Sequence, residues 1–515
     1  MAPYVGIFGI SMVINVVLTF RSSTYWNKYK HLFGYHEVVN ADSSSGDGPQ
    51  FDSAQKENAY KSLLVRYLIV YLLAALSDWM QGPYVYELYS SYGFSKHDIA
   101  VLFVAGFGSS MLFGSFIGGL ADSCGRKKFT LLFSLIYALS CMTKHFNDYN
   151  ILMVGRILGG IATSLLFSVF DSWLIKSHAK ADLTSHLSRS FSWMQYGKSC
   201  VAIFSGLLAN KATSMNKLER FYSSDESSLF YVGGLLNPFD IALAALIVCG
   251  IAATFLWEEN YGEREKQQQQ GETESNKNGF INIFLNAYNT TMRKTEILYC
   301  GLVCSLFEGS MYIFVFMWTP AIKNLTAEGT VIPFGLIFST FMVFCMAGSS
   351  LFATLVQKQS VEQIGVKVFC VATISFLLMA ISTNDTFTFC AFNLFEMCVG
   401  MYFPIMGTMK SSIVPEDQRA AIYNLFRIPL NFIVLFSLLT DLTPAQSFVL
   451  CFIMLAVATF LMLSIIKLQS VKSAPKEEET DLESQKLIST ETTAASSLED
   501  STDLVATDNS ADKLD

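Results

Sequence analysis

The feature that most constrains this chain is a succession of apolar runs, each about 20 residues long, that fills most of its 515 positions. A helix rises 1.5 Å per residue, so one such run crosses the roughly 30 Å hydrocarbon core of a bilayer. A soluble protein would carry about 25% charged residues, whereas only 15% of this chain is charged. The sequence therefore predicts a membrane protein with many spans.

Thirteen segments follow this pattern. They cover residues 4–20, 63–83, 98–120, 128–144, 150–175, 188–209, 238–257, 297–318, 332–356, 365–382, 387–409, 419–440 and 444–466. A polar stretch from Glu258 to Asn278, with four consecutive glutamines, separates the first seven from the last six. The predicted fold is all-α, with two six-helix bundles and one extra N-terminal transmembrane helix.

Six regions follow from these boundaries. They are an extra transmembrane helix (1–22), a polar cytosolic segment (23–60), an N-terminal six-helix bundle (61–257), a central cytosolic linker (258–296), a C-terminal six-helix bundle (297–468) and an acidic, disordered cytosolic tail (469–515). The net charge of −8 describes this tail rather than a substrate, because residues 475–515 carry 12 acids and 3 bases. The first segment lacks a preceding basic region, so we expect it to stay as an anchor rather than be cleaved.

Lysines and arginines orient the spans. With 21–62 placed in the cytosol, 22 of these residues fall on inner connections and 6 on outer ones, which is the bias of the positive-inside rule. The C-terminus is then cytosolic. The sequence Asn324-Leu-Thr326 lies outside, where Asn324 is a glycosylation candidate.

The two predicted bundles resemble each other in sequence. The stretch from Phe191 to Ser205 aligns with Tyr423 to Ser437, and Asp78-Trp-Met-Gln-Gly-Pro-Tyr aligns with a stretch beginning at Glu308. Internal repeats of this kind are typical of transporters whose substrate site lies near the bilayer midplane. Rocking of one half against the other would then give alternating access.

A glycine-rich loop follows the third segment, with Gly118, Asp122, Gly125 and Arg126 in the order Gly-Gly-Leu-Ala-Asp-Ser-Cys-Gly-Arg-Lys-Lys. This loop resembles the G-x-L-A-D-R-x-G-R-K motif of the major facilitator superfamily. The resemblance implies a conformational latch in which Asp122 and Arg126 pair with each other or with a helix end of the same half. Ser123 replaces the usual arginine, which removes part of the charge network.

Several further stretches narrow the resemblance. They are Asp78-Trp-Met-Gln-Gly-Pro-Tyr84, Leu306-Phe-Glu308, Ile313-Phe-Val-Phe-Met-Trp318-Thr-Pro320, Gly400-Met-Tyr402-Phe-Pro404 and Asn424-Leu-Phe-Arg427-Ile-Pro429. Together they are similar to the molybdate-anion transporter family, a branch of the same superfamily, over residues 60–465. The resemblance implies a secondary active transporter that imports a small oxyanion, molybdate, without a cofactor.

Arg427 is the first candidate for the substrate site. A charge at the bilayer centre costs about 3 kcal/mol on insertion scales, and a guanidinium presents a planar fork of donors suited to a tetrahedral dianion. Asn424 and Asn431 lie three and four residues away, so the three side chains share one helix face. The alternative is a structural ion pair between Arg427 and an acid such as Glu396.

Lys198 lies in the matching part of the first half and is the second cationic candidate. Gln195 lies one turn earlier and could donate a hydrogen bond to the same anion. Tyr312 is placed to line the cavity. The two cations favour an anion over a sugar, whose carriers usually use uncharged amides and aromatic residues.

Eight ionisable residues lie inside predicted spans, and four of these besides Lys198 and Arg427 are Asp78, Arg156, Glu308 and Glu396. Each is a candidate for proton coupling or for a charge pair. Arg156 lies in Gly-Arg-Ile-Leu-Gly-Gly, which resembles the superfamily's conserved-arginine motif on the fourth core helix. The alternative is that the acids only neutralise the bases.

The remaining expectations concern class and partners. The sequence contains no Walker loop, nucleophile elbow or HExxH pattern, and we expect neither an enzyme nor a metal or nucleic-acid site. We expect a monomer in the plasma membrane. Glu483, Leu487 and Ile488 fit an acidic dileucine pattern that sorting adaptors read, so an endomembrane or vacuole is the alternative. Another small solute, or a sensor that no longer transports, remains the alternative function.

Overall fold

The computed structural model describes residues 2–29, 50–114, 116–221, 229–262, 285–327, 329–415 and 418–468. Nearly all of these residues are helical. The helices are α1 (Ala2–Tyr29), α2 (Gln50–Gln81), α3 (Val85–Ser91), α4 (Lys96–Gly114), α5 (Ile117–Cys124), α6 (Arg126–Thr143), α7 (Tyr149–Leu166), α8 (Val169–Lys180), α9 (Leu187–Thr213), α10 (Asn237–Leu256), α11 (285–293), α12 (Thr295–Leu325), α13 (Phe334–Leu355), α14 (Val361–Ile381), α15 (Asp385–Ile413), α16 (Arg419–Leu439) and α17 (Pro444–Leu468). Strands β1 (Glu219–Arg220) and β2 (Tyr231–Val232) pair antiparallel between α9 and α10.

Ten helical stretches among the described residues are long and apolar enough to cross a membrane. Helices α6 and α9 complete the bundles, with α6 packed on α7 and α10, and α9 packed on α2. Both are more polar, since α6 begins with three basic residues and α9 carries Lys198. The prediction of two six-helix bundles with an extra helix is confirmed: α2–α10 form the N-bundle and α12–α17 the C-bundle.

Three core spans are each built from two consecutive helices, and the first of them continues past its predicted end at residue 83 to Ser91. The first break, between α2 and α3, coincides with Gly82-Pro83-Tyr84. Proline has no backbone N–H and disfavours the helical conformation of the residue before it, so a helix ends readily here. Breaks between α4 and α5 and between α7 and α8 divide the second and fourth core spans.

Helix α1 packs on α13 of the C-bundle, and polar contacts join it to α13 and to the start of α15. The buried Asn15 donates from Nδ2 to the Val343 carbonyl at 3.2 Å, and Tyr4 Oη donates to Asp385 Oδ2 at 3.1 Å. A buried amide needs a partner. These contacts therefore fix the face of α1 that meets the bundle.

The two bundles meet along a seam where α9 packs on α13 and α4 on α16. At the α9–α13 crossing, Gly206 faces Gly335, and a Cβ on either residue would overlap the carbonyl oxygen of the other. Ser339 Oγ donates to the Ile203 carbonyl at 2.8 Å in the same crossing. The close backbone approach therefore depends on glycine at both positions.

The seam is closed from its outer end to about the middle of the bilayer. Ring contacts between the bundles join Trp79 to Phe338, Tyr84 to Phe334, Tyr86 and Phe103 to Phe316, and Phe107 to Tyr312. No hydrogen bond, ion pair or ring contact joins described residues of the two bundles at the inner ends. The lysine and arginine pattern predicts that this end of the seam is the cytosolic one.

Candidate functional site

Arg427 lies near the middle of α16, eight residues from its start. Its side chain is exposed, as is that of Asn424, while Asn431 is half-buried. Tyr312 lies within electrostatic range of the guanidinium, and its ring contacts Phe107 of the N-bundle with centroids 5.1 Å apart. Arg427 is therefore close to the seam.

Lys198 lies near the middle of α9, and its surroundings are aromatic. Its Nζ is 5.9 Å from the Trp79 ring centroid and 5.4 Å from that of Phe167, which is the range of a cation–π interaction. Asp171 of the N-bundle and Cys345 of the C-bundle are within its electrostatic range. Lys198 thus reaches the same seam from the opposite bundle.

Neither cation forms a close ion pair with a described residue, although Asp78 and Asp171 lie within electrostatic range of Lys198. Among the described residues, Lys198 and Arg427 form no ion pair within 4 Å, and the side-chain amides of Gln195, Asn424 and Asn431 make no hydrogen bond. The structural pair of Arg427 with Glu396, the alternative raised by the sequence, is not formed. Two cations with free donors around them leave room for an anionic ligand.

The acids at the repeat positions share one arrangement. Tyr137 Oη donates to Asp78 Oδ1 at 2.7 Å, and Tyr402 Oη donates to Glu308 Oε1 at 2.8 Å. The ring of Tyr402 also stacks on Phe307 at 4.0 Å, which fixes its position. Sequence spacing did not identify Tyr137, because it lies 59 residues from Asp78 on another helix.

Glu396 differs from those two acids. Its side chain is buried in the packing of α15, and it has no hydrogen bond or ion pair with any described residue. An isolated ionised carboxylate in such a place is costly, since neither a donor nor a cation offsets its desolvation.

Among the described residues, Arg156 contacts a carbonyl and an aromatic ring and forms no ion pair with a carboxylate. It donates from Nε to the Leu102 carbonyl at 3.1 Å, and its guanidinium lies 4.5 Å from the Phe103 ring centroid. A Cβ at Gly106 would stand 2.9 Å from Arg156 Nη2, so this glycine makes the space for the guanidinium. Arg156 thus ties α7 to α4 within the N-bundle.

The glycine-rich loop forms the expected contact. Asp122 Oδ1 accepts from Arg126 Nε and Nη2, both at 2.8 Å. Gly125, between α5 and α6, has φ +112, a conformation that favours glycine. Gly118 lies in α5 beside Ser168 of the N-bundle.

The residues that hold this loop follow α10, and the sequence analysis did not identify them. Glu259 accepts from the backbone N–H groups of Lys127 at 2.8 Å and Lys128 at 3.2 Å, where the positive end of the α6 dipole favours a carboxylate. Gly262 N donates to the Asp122 carbonyl at 2.9 Å. We call residues 257–262 the clasp.

Two further clasp residues contact the N-bundle, Trp257 through a buried ring stack and Glu258 through an exposed ion pair. The Trp257 indole stacks on Trp173 with centroids 4.0 Å apart. Glu258, outside the spans, accepts from Lys180 Nζ at 2.8 Å, and this hydrogen bond lowers the pKa of the carboxyl. No known spacing pattern marks this Trp-Glu-Glu-Asn stretch, so only the folded structure reveals its role.

The two remaining predicted sites are the glycosylation candidate and the sorting motif. Asn324 is exposed in the last turn of α12, at the outer end of the seam. Glu483, Leu487 and Ile488 lie outside the described residues.

The chain is similar in sequence to known transporters. A family model described as sugar transporters with 12 transmembrane segments matches residues 48–393. The molybdate-anion transporter of Takifugu rubripes is 32% identical over 76% of this chain and 82% of its own length. That of Danio rerio is 32% identical over 74% and 79%, respectively.

The chain belongs to the molybdate-anion transporter family. It is therefore a multi-pass membrane transporter of the major facilitator type, as the sequence predicted.

Solved structures agree on the fold of this family member. The nucleoside transporter NupG superimposes with a TM-score of 0.56 at 10% identity, covering 79% of this chain and 98% of that one. A bacterial homologue of the lysosomal transporter Spinster, inward-facing and occupied, gives 0.59 at 12% identity, covering 80% and 97%. At such low identity the likeness shows the fold alone.

Proposed function

We propose that this protein is a carrier that imports a small oxyanion, molybdate, by alternating access. The observation that supports this most is a pair of cations, Lys198 and Arg427, that approach one seam from opposite bundles and form no ion pair within 4 Å with a described residue. The name shared by the relatives in Takifugu rubripes and Danio rerio specifies molybdate within the anion class.

In this proposal Arg427 binds two oxygens of the anion through its planar fork. Asn424 and Asn431 donate from the same helix face, and Tyr312 donates from α12. Lys198 contributes the second positive charge from the N-bundle, with Gln195 one turn nearer the cytosol. Because the ligands come from both bundles, binding draws the inner ends together and closes the cytosolic side.

Proton coupling completes the proposal. Carrying a dianion inward opposes the membrane potential by about 2.3 kcal/mol per charge for each 100 mV. Two co-transported protons would cancel this term. Glu396 is the best placed carboxylate to carry one, because no described residue donates to it or pairs with it, whereas the tyrosines beside Asp78 and Glu308 stabilise ionised carboxylates.

The remaining parts of the proposal concern the cycle and its setting. The Asp122–Arg126 loop serves as a latch on the cytosolic side, held in the N-bundle by the clasp. We propose that the protein works as a monomer in the plasma membrane, with adaptor binding at Glu483, Leu487 and Ile488 as the route to an endomembrane.

Uptake into proteoliposomes tests the substrate. Saturable molybdate uptake should occur with the unmodified protein and fall at least about tenfold in Arg427→Ala, the loss of about 1.4 kcal/mol or more that removing a charge-assisted contact implies. Arg66→Ala is the matched control, because Arg66 lies in a span and its side chain donates within its own helix, to the Ser62 carbonyl.

The outcomes separate the alternatives. If uptake survives in Arg427→Ala, molybdate is retained as substrate and Arg427 is not its ligand. If correctly inserted protein shows no molybdate uptake, the proposed substrate is wrong. Uptake of a sugar or an organic anion instead would favour the other carriers of this fold, and no uptake of any solute would favour a sensor.

A further inference from the structure

A surface cleft lies at the outer end of the closed seam, well away from Lys198 and Arg427. Its volume is about 240 Å³, and residues of both bundles line it. The polar lining residues are Tyr86, Ser90 and Lys96 from the N-bundle, and Lys323 and Asn324 from the C-bundle. Every one of these side chains can donate a hydrogen bond, and two of them are cations. No described carboxylate lines the cleft itself, but Glu87 pairs with Lys323, and Asp441 lies within electrostatic range of Lys96.

The two ammonium groups keep free donors. Lys323 Nζ donates to Glu87 Oε2 at 2.8 Å and to Ser90 Oγ at 3.1 Å, while Lys96 Nζ donates to the Leu442 carbonyl. Each ammonium has three N–H bonds. One on Lys323 and two on Lys96 therefore remain without an acceptor among the described residues.

The contacts of both lysines cross the seam. Lys323 is in the C-bundle and Glu87 in the N-bundle, whereas Lys96 is in the N-bundle and Leu442 in the C-bundle. His97 Nδ1 and Asp441 Oδ1, 3.4 Å apart, form a third pair of this kind at the rim. A small anion bound between the two ammonium groups would contact both bundles. It would therefore stabilise the closed outer seam, as these contacts do.

We propose that this outer cleft is a second anion site, which binds a tetrahedral oxyanion between Lys96 and Lys323. The ligand class rests on the proposed function, since the carried anion is the one present outside. An anion bound here holds the outer seam closed. External oxyanion therefore stabilises the inward-facing state as well as being the cargo.

Site-directed labelling of a lining residue tests occupancy directly. Ser90→Cys places a thiol in the cleft, and an anionic methanethiosulfonate reagent reports its accessibility in purified full-length protein. Sulfate at ten times its dissociation constant should slow the reaction about tenfold, because only about one cleft in eleven stays empty. Chloride of matched ionic strength should not.

Variants then locate the effect. Lys96→Gln and Lys323→Gln should each abolish protection by sulfate, and Ser91→Cys, exposed outside the cleft, is the matched label that sulfate should leave unchanged. Protection that persists in either lysine variant, or an equal slowing at Ser91→Cys, would overturn the proposal. Normal gel filtration and normal labelling of Ser91→Cys in the same backgrounds exclude misfolding.

Arg427→Ala distinguishes binding at the outer cleft from binding at the central site. Arg427→Ala should keep the sulfate protection of Ser90→Cys, so a protein that carries no molybdate could still show the outer site. If Arg427→Ala abolishes protection, the anion acts through the central site and the outer cleft is not a separate site.

Discussion

Removing the charge of Glu87 should shift this transporter toward its outward-open state. The Glu87–Lys323 pair crosses the seam at 2.8 Å, with side chains 20% and 35% exposed. Coulomb's law at an effective dielectric constant of about 20 gives about 6 kcal/mol as an upper limit. Partial exposure, screening and side-chain ordering reduce this to about 1–2 kcal/mol. Glu87→Gln should then raise the ratio of open to closed outer seam about 5- to 30-fold.

Electron–electron distance measurements can read this ratio. Spin labels at Ser91 and Val331, both exposed at the outer ends of opposite bundles, should show a longer distance in Glu87→Gln. Lys180→Gln is the matched control, since the Lys180–Glu258 pair also measures 2.8 Å but lies within the N-bundle. An unchanged distance distribution in Glu87→Gln, or an equal shift in Lys180→Gln, would refute the reasoning.

Three further predictions concern the helix crossing in the seam, the clasp and the glycosylation candidate. Gly335→Val should destabilise the closed seam by about 1–3 kcal/mol through overlap with the α9 backbone, giving the same spin-label shift, whereas Gly407→Val, with open space around it, should not. Glu259→Ala should lower the thermal stability of the purified protein, because it removes the charge-assisted hydrogen bonds from the N–H groups of Lys127 and Lys128, about 1.5–3 kcal/mol each, and a third from Asn260. Glu258→Ala, at an exposed ion pair, should change the stability little. Asn324→Gln should abolish a glycosidase-sensitive mobility shift in expressed protein; the same mobility with and without the substitution would mean that the site is not glycosylated.

Much of the candidate site could be found in the sequence because charge inside an apolar run is conspicuous. Lys198, Arg427 and the candidate acids Asp78, Glu308 and Glu396 all stand out in this way. The sequence did not determine which charged side chains form ion pairs. The Arg427–Glu396 ion pair, which the sequence allowed, is not formed. Tyr137 and the clasp were missed, since each acts on residues far away in the chain and carries no spacing signal of its own.

The sequence by itself determined the membrane class, the number of core helices, the division into two bundles and the family. Each of these rests on local apolar length, on a polar linker or on contiguous motifs, and the bilayer leaves such segments few structures other than helices. Only the tertiary structure decided which bundle ends meet, which cations remain unpaired and where α1 docks. These depend on side chains brought together across helices, as Gly206 and Gly335 are at the crossing of α9 and α13. Such contacts are set by packing geometry, which no local pattern encodes.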